Sequence, residues 1–148
     1  MSPCRAYRYS LWREFDRLEN GYVMFIGLNP STADEVSDDP TIRRCIAYAK
    51  SWGFGALCMT NIFAFRATKP ADMVAAADPV GPDNDGHLIH LARNASIVVA
   101  AWGTNGTHRG RDAAVRSLVP TLHCLKKTRA GHPGHPLYLS ADLAPMPY

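Results

Sequence analysis

The chain has 148 residues, of which 47% are hydrophobic and 20% are charged, and its formal net charge is +3. This length and composition are typical of one globular domain with a sizeable core, and they exclude a disordered or fibrous protein. No apolar run approaches the roughly 20 residues that cross a bilayer, and residues 1–11 lack an apolar signal core, so we expect one cytoplasmic domain over residues 1–148 with no membrane partner.

The first half of the chain predicts two buried strands with a helix between them. The apolar segment Tyr22–Ile26 predicts the first core strand, and Asp39-Pro40 then supplies a helix cap and a proline in the first turn. The helix is expected to end at Gly53, and Ala56–Ile62 predicts the second strand. The apolar face of this helix has the spacing i, i+3, i+4 and i+7 at Ile42, Cys45, Ile46 and Ala49.

The second half continues this alternation. Thr68–Ala77 predicts a short helix after Pro70, and Gly81-Pro82-Asp83 predicts a turn and cap before a helix that runs to about Asn94. Then come, in order, a strand Ser96–Trp102, a loop 103–110, a helix Arg111–Leu118, a strand Thr121–Leu125 and a tail from Arg129 rich in proline, histidine and glycine.

Four short apolar strands separated by helices predict an α/β fold. We expect a three-layer α/β/α sandwich with a mostly parallel sheet of about four strands and an antiparallel addition from Arg8–Trp12. Open α/β sheets bind ligands beyond the carboxyl ends of their strands. The polar groups predicted at that edge are Asn29, Asn61 with Arg66, Trp102-Gly103-Thr104-Asn105, and His132 with His135.

The cysteines indicate no metal centre. Cys4, Cys45, Cys58 and Cys124 are scattered without a CxxC pair, which argues against a zinc ribbon or an iron–sulfur cluster, so we expect small buried hydrophobic residues. The charge excess permits a nucleic-acid partner without indicating one, because domains that bind mainly phosphates usually carry a denser basic stripe.

Six motifs, in this order, carry a resemblance to a known family: GLNPSTAD, DDPTIRRC, NIFAFRATKP, GPDND, AWG and GHPGHPLYL. They resemble an uncharacterised bacterial family known only as a domain of unknown function, and the resemblance covers nearly the whole chain. That family is in turn distantly similar to the uracil-DNA glycosylase superfamily. There a GxNP or GxDP-like turn positions the attacking water, a later Asn reads the base, and an HP loop places a histidine beside the leaving base.

On this chain the resemblance assigns the water-positioning turn to Gly27-Leu28-Asn29-Pro30, the base-reading residue to Asn61, and the histidine to His135-Pro136 or His132-Pro133. It implies a uracil-DNA glycosylase-like fold and a metal-independent N-glycosidase without a cofactor. The substrate would be a uracil-like or modified base in DNA or a related nucleic acid or nucleoside. The sequence departs from the superfamily at Ser31-Thr32, where mismatch-specific glycosylases have glycine, and in reading HPLY rather than HPS.

Residue chemistry agrees with this assignment. An Asn carbonyl can position water, an Asn amide can pair with a base edge, and a histidine can donate to a departing base. The predicted catalytic residues are Asn29, His135 and Asp34. The predicted substrate-binding residues are Gly27, Leu28, Pro30, Ser31, Thr32, Asn61, Phe63, Arg66, Trp102, Gly103, His132 and Pro136.

Other interpretations stay open at this point. Asn29-Pro30 is also a common structural turn, Asn61 also suits a bond to a neighbouring backbone, and Arg66 suits either an exposed loop cation or a phosphate clamp. A metal-dependent phosphohydrolase is a second hypothesis, with ligands from the aspartates at 34, 38, 39, 83 and 85 and the six histidines. A third is a non-catalytic module that binds a nucleotide or nucleic acid. The oligomeric state is left open.

Overall fold

The backbone of residues 1–17 and 20–148, the part described by this computed structural model, forms one six-stranded mixed sheet with helices packed against it. The strands are β1 Leu11–Glu14, β2 Tyr22–Gly27, β3 Ala56–Asn61, β4 Ile97–Ala100, β5 His123–Cys124 and β6 Met146–Pro147. The helices are α1 Pro40–Ser51, α2 Pro70–Ala75, α3 Asn84–Asn94 and α4 Arg111–Leu118, with 3₁₀ turns at Thr104–Gly110 and Pro136–Tyr138.

The strand order is β1-β3-β2-β4-β5-β6. β3, β2, β4 and β5 pair in parallel, while β1 and β6 pair antiparallel at the two edges. The parallel register places Gly27 opposite Asn61 and Ile26 opposite Ala100. The carboxyl ends of β2, β3 and β4 therefore meet at one edge of the sheet.

Each face of β2 packs against a different helix layer because side chains alternate along a strand. Val23 and Phe25 lie in one core cluster with Cys45 and Tyr48 of α1. Met24 and Ile26, with residues of α2, α3 and α4, lie in the other cluster. Phe25 has no exposed surface, and burying such a side chain stabilises the fold by about 1.5–3 kcal/mol.

The strand order also fixes where a ligand site is expected. α1, which follows β2, packs on one face of the sheet, while the helices that follow β3 and β4 pack on the other. From β2 the chain passes to β3 on one side, and from β3 it passes to β4 on the other side of β2, so the direction of the connections reverses between β2 and β4. In open α/β sheets the crevice above such a reversal is the usual ligand site.

Helix α1 confirms its predicted start. Asp39 is its N-cap, with the side chain accepting from the Ile42 N–H, and Pro40 is the first helical residue. The strands differ more from the prediction. The antiparallel strand lies at Leu11–Glu14 rather than Arg8–Trp12, because the Arg8 N–H donates instead to the Ala64 carbonyl beyond β3.

Two further differences concern the strands near the carboxyl end of the chain. The fourth predicted strand shrinks to His123–Cys124, and a sixth strand at Met146–Pro147 pairs with it. A proline-containing segment of two residues carries no alternating pattern, so the sequence could not reveal it. The sheet thus has six strands instead of about four with one addition.

The cysteine prediction is correct for three residues and wrong for one. Cys45, Cys58 and Cys124 are buried, whereas Cys4 is exposed on the amino-terminal segment, and all four are free thiols. In the part of the chain described here, no helix is both long and apolar enough to span a membrane.

Candidate functional site

A cavity of about 560 Å³ opens above the carboxyl ends of β2, β3 and β4. Its walls come from the loops after these strands, the first turn of α1 and residues 135–138. This volume lies within the roughly 300–1,000 Å³ of small-molecule sites. The predicted site residues that line it are Gly27, Leu28, Asn29, Ser31, Thr32, Asn61, Trp102, Gly103, His135 and Pro136.

The Asn29 amide is held in one orientation. Its Nδ2 donates to the Ala67 carbonyl at 2.8 Å and to the Pro30 carbonyl at 3.1 Å. Two carbonyl partners identify this atom as the nitrogen, so the opposite atom of the planar amide is the oxygen. That Oδ1 has no hydrogen-bond partner in residues 1–17 and 20–148, and Asn29 therefore presents an acceptor to the cavity.

Asn61, in contrast to Asn29, presents a hydrogen-bond donor to the cavity. It is 2% exposed, and its Oδ1 accepts a long hydrogen bond of 3.4 Å from Arg8 Nη2. Its main-chain carbonyl is also engaged, by Asn84 Nδ2 at 2.9 Å. No partner for Asn61 Nδ2 exists among the described residues, which leaves an N–H donor at the cavity floor.

Gly27 lies beside this amide at the end of β2. A Cβ at this position would be 2.8 Å from Asn61 Nδ2 and 2.8 Å from the Met59 methyl. Only glycine lets the two strands bring Asn61 this close to the cavity without a shift.

His135 lines the cavity and His132 does not. Its Nδ1 accepts a hydrogen bond from the Leu137 N–H at 3.2 Å, so in the neutral ring the proton is on Nε2. Burial lowers the pKa of His135 below the ordinary value of a histidine, against a smaller opposing effect of Asp39. His135 is therefore neutral at pH 7, with one N–H to donate.

A buried charged network supports the Ser31–Ala33 turn. Arg8 Nη1 donates to the Ala33 carbonyl at 3.0 Å, and the Ala33 N–H donates to Asp39 Oδ2 at 3.3 Å. Asp39 is 7% exposed and Arg8 is 2% exposed, and both line the cavity. The Ala33 peptide thus links the two charged side chains, which make no direct ion pair within residues 1–17 and 20–148.

Five predicted site residues do not line the cavity: Asp34, Pro30, Phe63, Arg66 and His132. The Asp34 carboxylate accepts from the Val36 and Ser37 N–H groups, and these bonds lower its pKa. Phe63 is fully buried against the helices, where stacking on a ligand would require repacking. Pro30 is also buried behind the turn.

Arg66 Nη1 faces the amino-terminal segment, near the Met1 sulfur and the Arg5 carbonyl at 3.3 Å. The His132 N–H bonds to the Thr128 hydroxyl, which closes a turn in the tail. These two residues are separated from the cavity by loop geometry that depends on tertiary contacts, and a sequence pattern does not encode it.

Sequence reasoning missed Arg8, the Thr41 hydroxyl at the start of α1, and the exposed Tyr138 beside the cavity mouth. Arg8 had no clear signal, because a single arginine between two tyrosines in a polar amino-terminal segment does not indicate burial.

Four of the five aspartates considered as metal ligands have other partners, and the Asp83 side chain makes no capping hydrogen bond at the start of α3. Asp38 pairs with Arg13 at 2.7 Å, Asp39 caps α1, and Asp85 pairs with Arg111 at 2.5 Å. Within residues 1–17 and 20–148, no three His, Cys, Asp or Glu side chains are grouped so as to hold a metal ion.

Residues 8–137 match the family described as Protein of unknown function (DUF1643). The chain belongs to this family. The matched range contains every residue of the cavity except Tyr138. Comparisons with curated proteins and with solved structures gave no match.

Proposed function

We propose that this member of the family is an N-glycosidase that releases a nucleobase through hydrolysis by a positioned water. The observation that carries the proposal is the shared cavity of Asn29, Asn61 and His135, which offers one fixed acceptor and two donors. In the same proposal the fold is a uracil-DNA glycosylase-like three-layer sandwich. Helices on both sheet faces and the site above parallel strand ends support this relationship.

The reaction breaks the bond between C1′ of the sugar and the base nitrogen. The electron pair leaves with the base, the water oxygen bonds to C1′, and the proton lost by water passes through solvent to the base. Asn29 Oδ1 orients the water through a hydrogen bond and need not act as a strong base when departure limits the rate. Asp34 has no part in this step, because its carboxylate binds its own turn.

His135 and Asn61 act on the departing base. The neutral His135 Nε2–H and the Asn61 Nδ2–H suit carbonyl oxygens on which negative charge develops. A fixed donor of this kind lowers the barrier by about 3 kcal/mol in comparable sites. Trp102 lies in the wall of the cavity, but it is 1% exposed and packs in the same core cluster as Phe63, so we assign it a structural role.

The substrate class in this proposal is a uracil-like or modified base, with DNA as one carrier and RNA or a nucleoside as others. The reaction needs neither a metal nor an organic cofactor, since all three polar roles are assigned to side chains. The cytoplasmic location remains a prediction from the sequence. Placement of four of the five aspartates in a cap, a turn and ion pairs favours this proposal over a phosphohydrolase that uses them as ligands.

The test is a panel of single- and double-stranded DNA and RNA oligonucleotides and nucleosides that carry uracil, hypoxanthine, xanthine or 5-substituted uracils. Free base is measured by liquid chromatography with mass spectrometry. We expect release from at least one substrate, and Asn29→Ala to reduce it by about 100-fold or more. The matched control is Asn94→Ala, an exposed Asn at the end of α3 that bonds only its own helix.

Three results would contradict the proposal. Full activity of Asn29→Ala removes the water-positioning role. Tight base binding without release on any substrate favours the non-catalytic module. Base release that appears only with an added divalent cation contradicts the metal-independent reaction, and phosphate release without base release favours the phosphohydrolase hypothesis.

A further inference from the structure

Arg8 is a buried cation that the proposed reaction has not used. It is 2% exposed, yet its nearest partners are a main-chain carbonyl and an amide oxygen rather than a carboxylate. The Arg8 Nε has no hydrogen-bond partner in the described part of the chain. Buried charges in proteins are normally paired and hydrogen-bonded, so an under-satisfied guanidinium beside a cavity points to a missing negative group.

The position of Arg8 indicates which part of a ligand would supply that charge. Its Nη2 donates to Asn61 Oδ1, and both residues line the floor of the cavity. Under the proposed function, Asn61 binds the base, so the Arg8 charge lies at the base end and not at the sugar or phosphate end. A base is neutral while attached and becomes anionic as it leaves.

Arg8 also fixes which atom Asn61 shows to the ligand. A cation bound to Oδ1 holds the amide with Nδ2 toward the cavity, and it polarises the N–H so that it donates more strongly. Burial lowers the pKa of Arg8 to about 10, mainly through desolvation, but leaves the group charged at neutral pH. The cavity side of Asn61 is therefore a strengthened donor.

The counter-charge nearest to this network is Asp39, which acts on the pKa of Arg8 against the effect of burial and so offsets part of it. Asp39 also lines the cavity, but its two oxygens accept the Ile42 and Ala33 N–H groups. Its contact with Arg8 runs through the Ala33 peptide rather than through an ion pair. The other titratable side chains that line the cavity are His135, which is neutral, and Tyr138.

We propose that Arg8 is a positioning residue that acts through Asn61, making the floor of the cavity selective for the anionic form of a planar nitrogen heterocycle. This inference rests on the proposed function, because it takes the base as the ligand beside Asn61. It adds that the site binds the departing base more tightly than the attached one, which is the differential binding that accelerates a reaction.

The experiment uses free bases, so that no bond needs to break. At pH 7.5 calorimetry compares 5-nitrouracil, which is anionic at that pH, with thymine, a neutral base of the same ring and a 5-substituent. We expect the wild-type chain to bind the anion at least about 10-fold more tightly. Perturbation of the Asn61 side-chain amide signal in ¹⁵N NMR spectra locates the ligand at this site.

Variants separate the charge from its structural role. Arg8→Met is expected to lose the preference for the anion, and Arg8→Lys is expected to retain most of it with weaker binding of both bases. Arg111→Met is the matched control, because Arg111 is similarly buried at 5% exposure but does not line the cavity. It should keep the wild-type preference even if it lowers the melting temperature.

The outcomes distinguish this inference from the proposed function. Equal or tighter binding of thymine by the wild-type chain overturns the role of Arg8, whatever the variants do. An unchanged preference in Arg8→Met overturns it as well. An anion preference that depends on Arg8, together with no base release from any oligonucleotide or nucleoside, supports the anion site and refutes the glycosidase reaction.

Discussion

Gly27→Ala tests whether the close contact at the end of β2 positions Asn61. The new Cβ would lie 2.8 Å from Asn61 Nδ2, whereas ordinary van der Waals contact begins at 3.4 Å, so the amide must move by about 0.6 Å. The Met59 methyl, also at 2.8 Å, can swing away, but Asn61 is held by Arg8 and by its place in the sheet. The clash therefore acts mainly on the proposed base-reading group.

The expected size follows from this displacement. A 1 Å misplacement of a reacting group costs about 100-fold, so about 0.6 Å predicts a loss on the order of 10-fold in kcat/KM for base release, or in affinity for a free base. Overpacking of this kind also costs about 1–3 kcal/mol in the free energy of unfolding. Steady-state base release, calorimetry with uracil and thermal unfolding by circular dichroism measure the three quantities.

The control is Gly86→Ala in α3. A Cβ at Gly86 meets nothing within 4 Å, and the residue is helical, so this change should raise the stability by about 0.5–1 kcal/mol and leave binding unaltered. A Gly27→Ala variant that melts at the wild-type temperature and binds base with wild-type affinity would refute the positioning argument.

The other predictions concern pH, the α1 cap and the thiols. Burial lowers the pKa of His135 below 6.5 in the folded chain. The stability that depends on its neutral form is therefore present above pH 6.5 and is lost as the pH falls through the folded-state pKa. His135→Gln should flatten the dependence of melting temperature on pH below 6.5. Asp39→Ala should lower the free energy of unfolding by about 1–3 kcal/mol and Asp39→Asn by less, measured by urea unfolding, because the side chain caps α1 and also binds the Ala33 N–H. Ellman's reagent should modify Cys4 rapidly and the other thiols only on unfolding, since Cys4 is exposed with a lowered pKa whereas burial raises the pKa of Cys58 to about 12.

Each of these predictions has a contrary result. An equally steep pH profile in His135→Gln would assign the dependence to another group. Equal losses for Asp39→Ala and Asp39→Asn would show that the carboxylate charge, not its acceptor geometry, stabilises the loop. Rapid modification of more than one thiol in the folded chain would contradict the buried placement of the remaining cysteines.

The sequence predicted those elements of the fold whose boundaries depend on residues close to one another in the chain. The α1 boundary was readable because Asp39-Pro40 and the apolar spacing after it act within one helix. The buried parallel strands were readable as apolar runs, whereas β6 was not, because Met146–Pro147 forms a strand only through its pairing with β5. The antiparallel edge strand was displaced for a similar reason, since its register depends on β3.

Some residues of the candidate site could be predicted from the order of the strands, and others depend on packing. Asn29, Asn61 and His135 follow strands or a proline-rich turn, so their arrival at one edge follows from topology. Phe63 and Arg66 follow β3 as well, but their side chains go to the core and to the amino-terminal segment, which only packing decides. Arg8 escaped prediction because its importance lies in burial without a carboxylate partner, and burial is not visible in a short motif.

The cavity takes its lining from Arg8, from Tyr138 and from the end of each of the three central strands. The cavity forms only when these separate segments are folded together, so a ligand that binds there stabilises the native state of the whole chain against unfolding. At a ligand concentration 100 times its dissociation constant, this stabilisation amounts to about 2.7 kcal/mol, which corresponds to a rise of roughly 5–10 °C in melting temperature for a domain of this size. A thermal-shift screen of bases, nucleosides and nucleotides is therefore a direct route to the natural ligand, because occupancy of this one site registers in the melting of the entire domain.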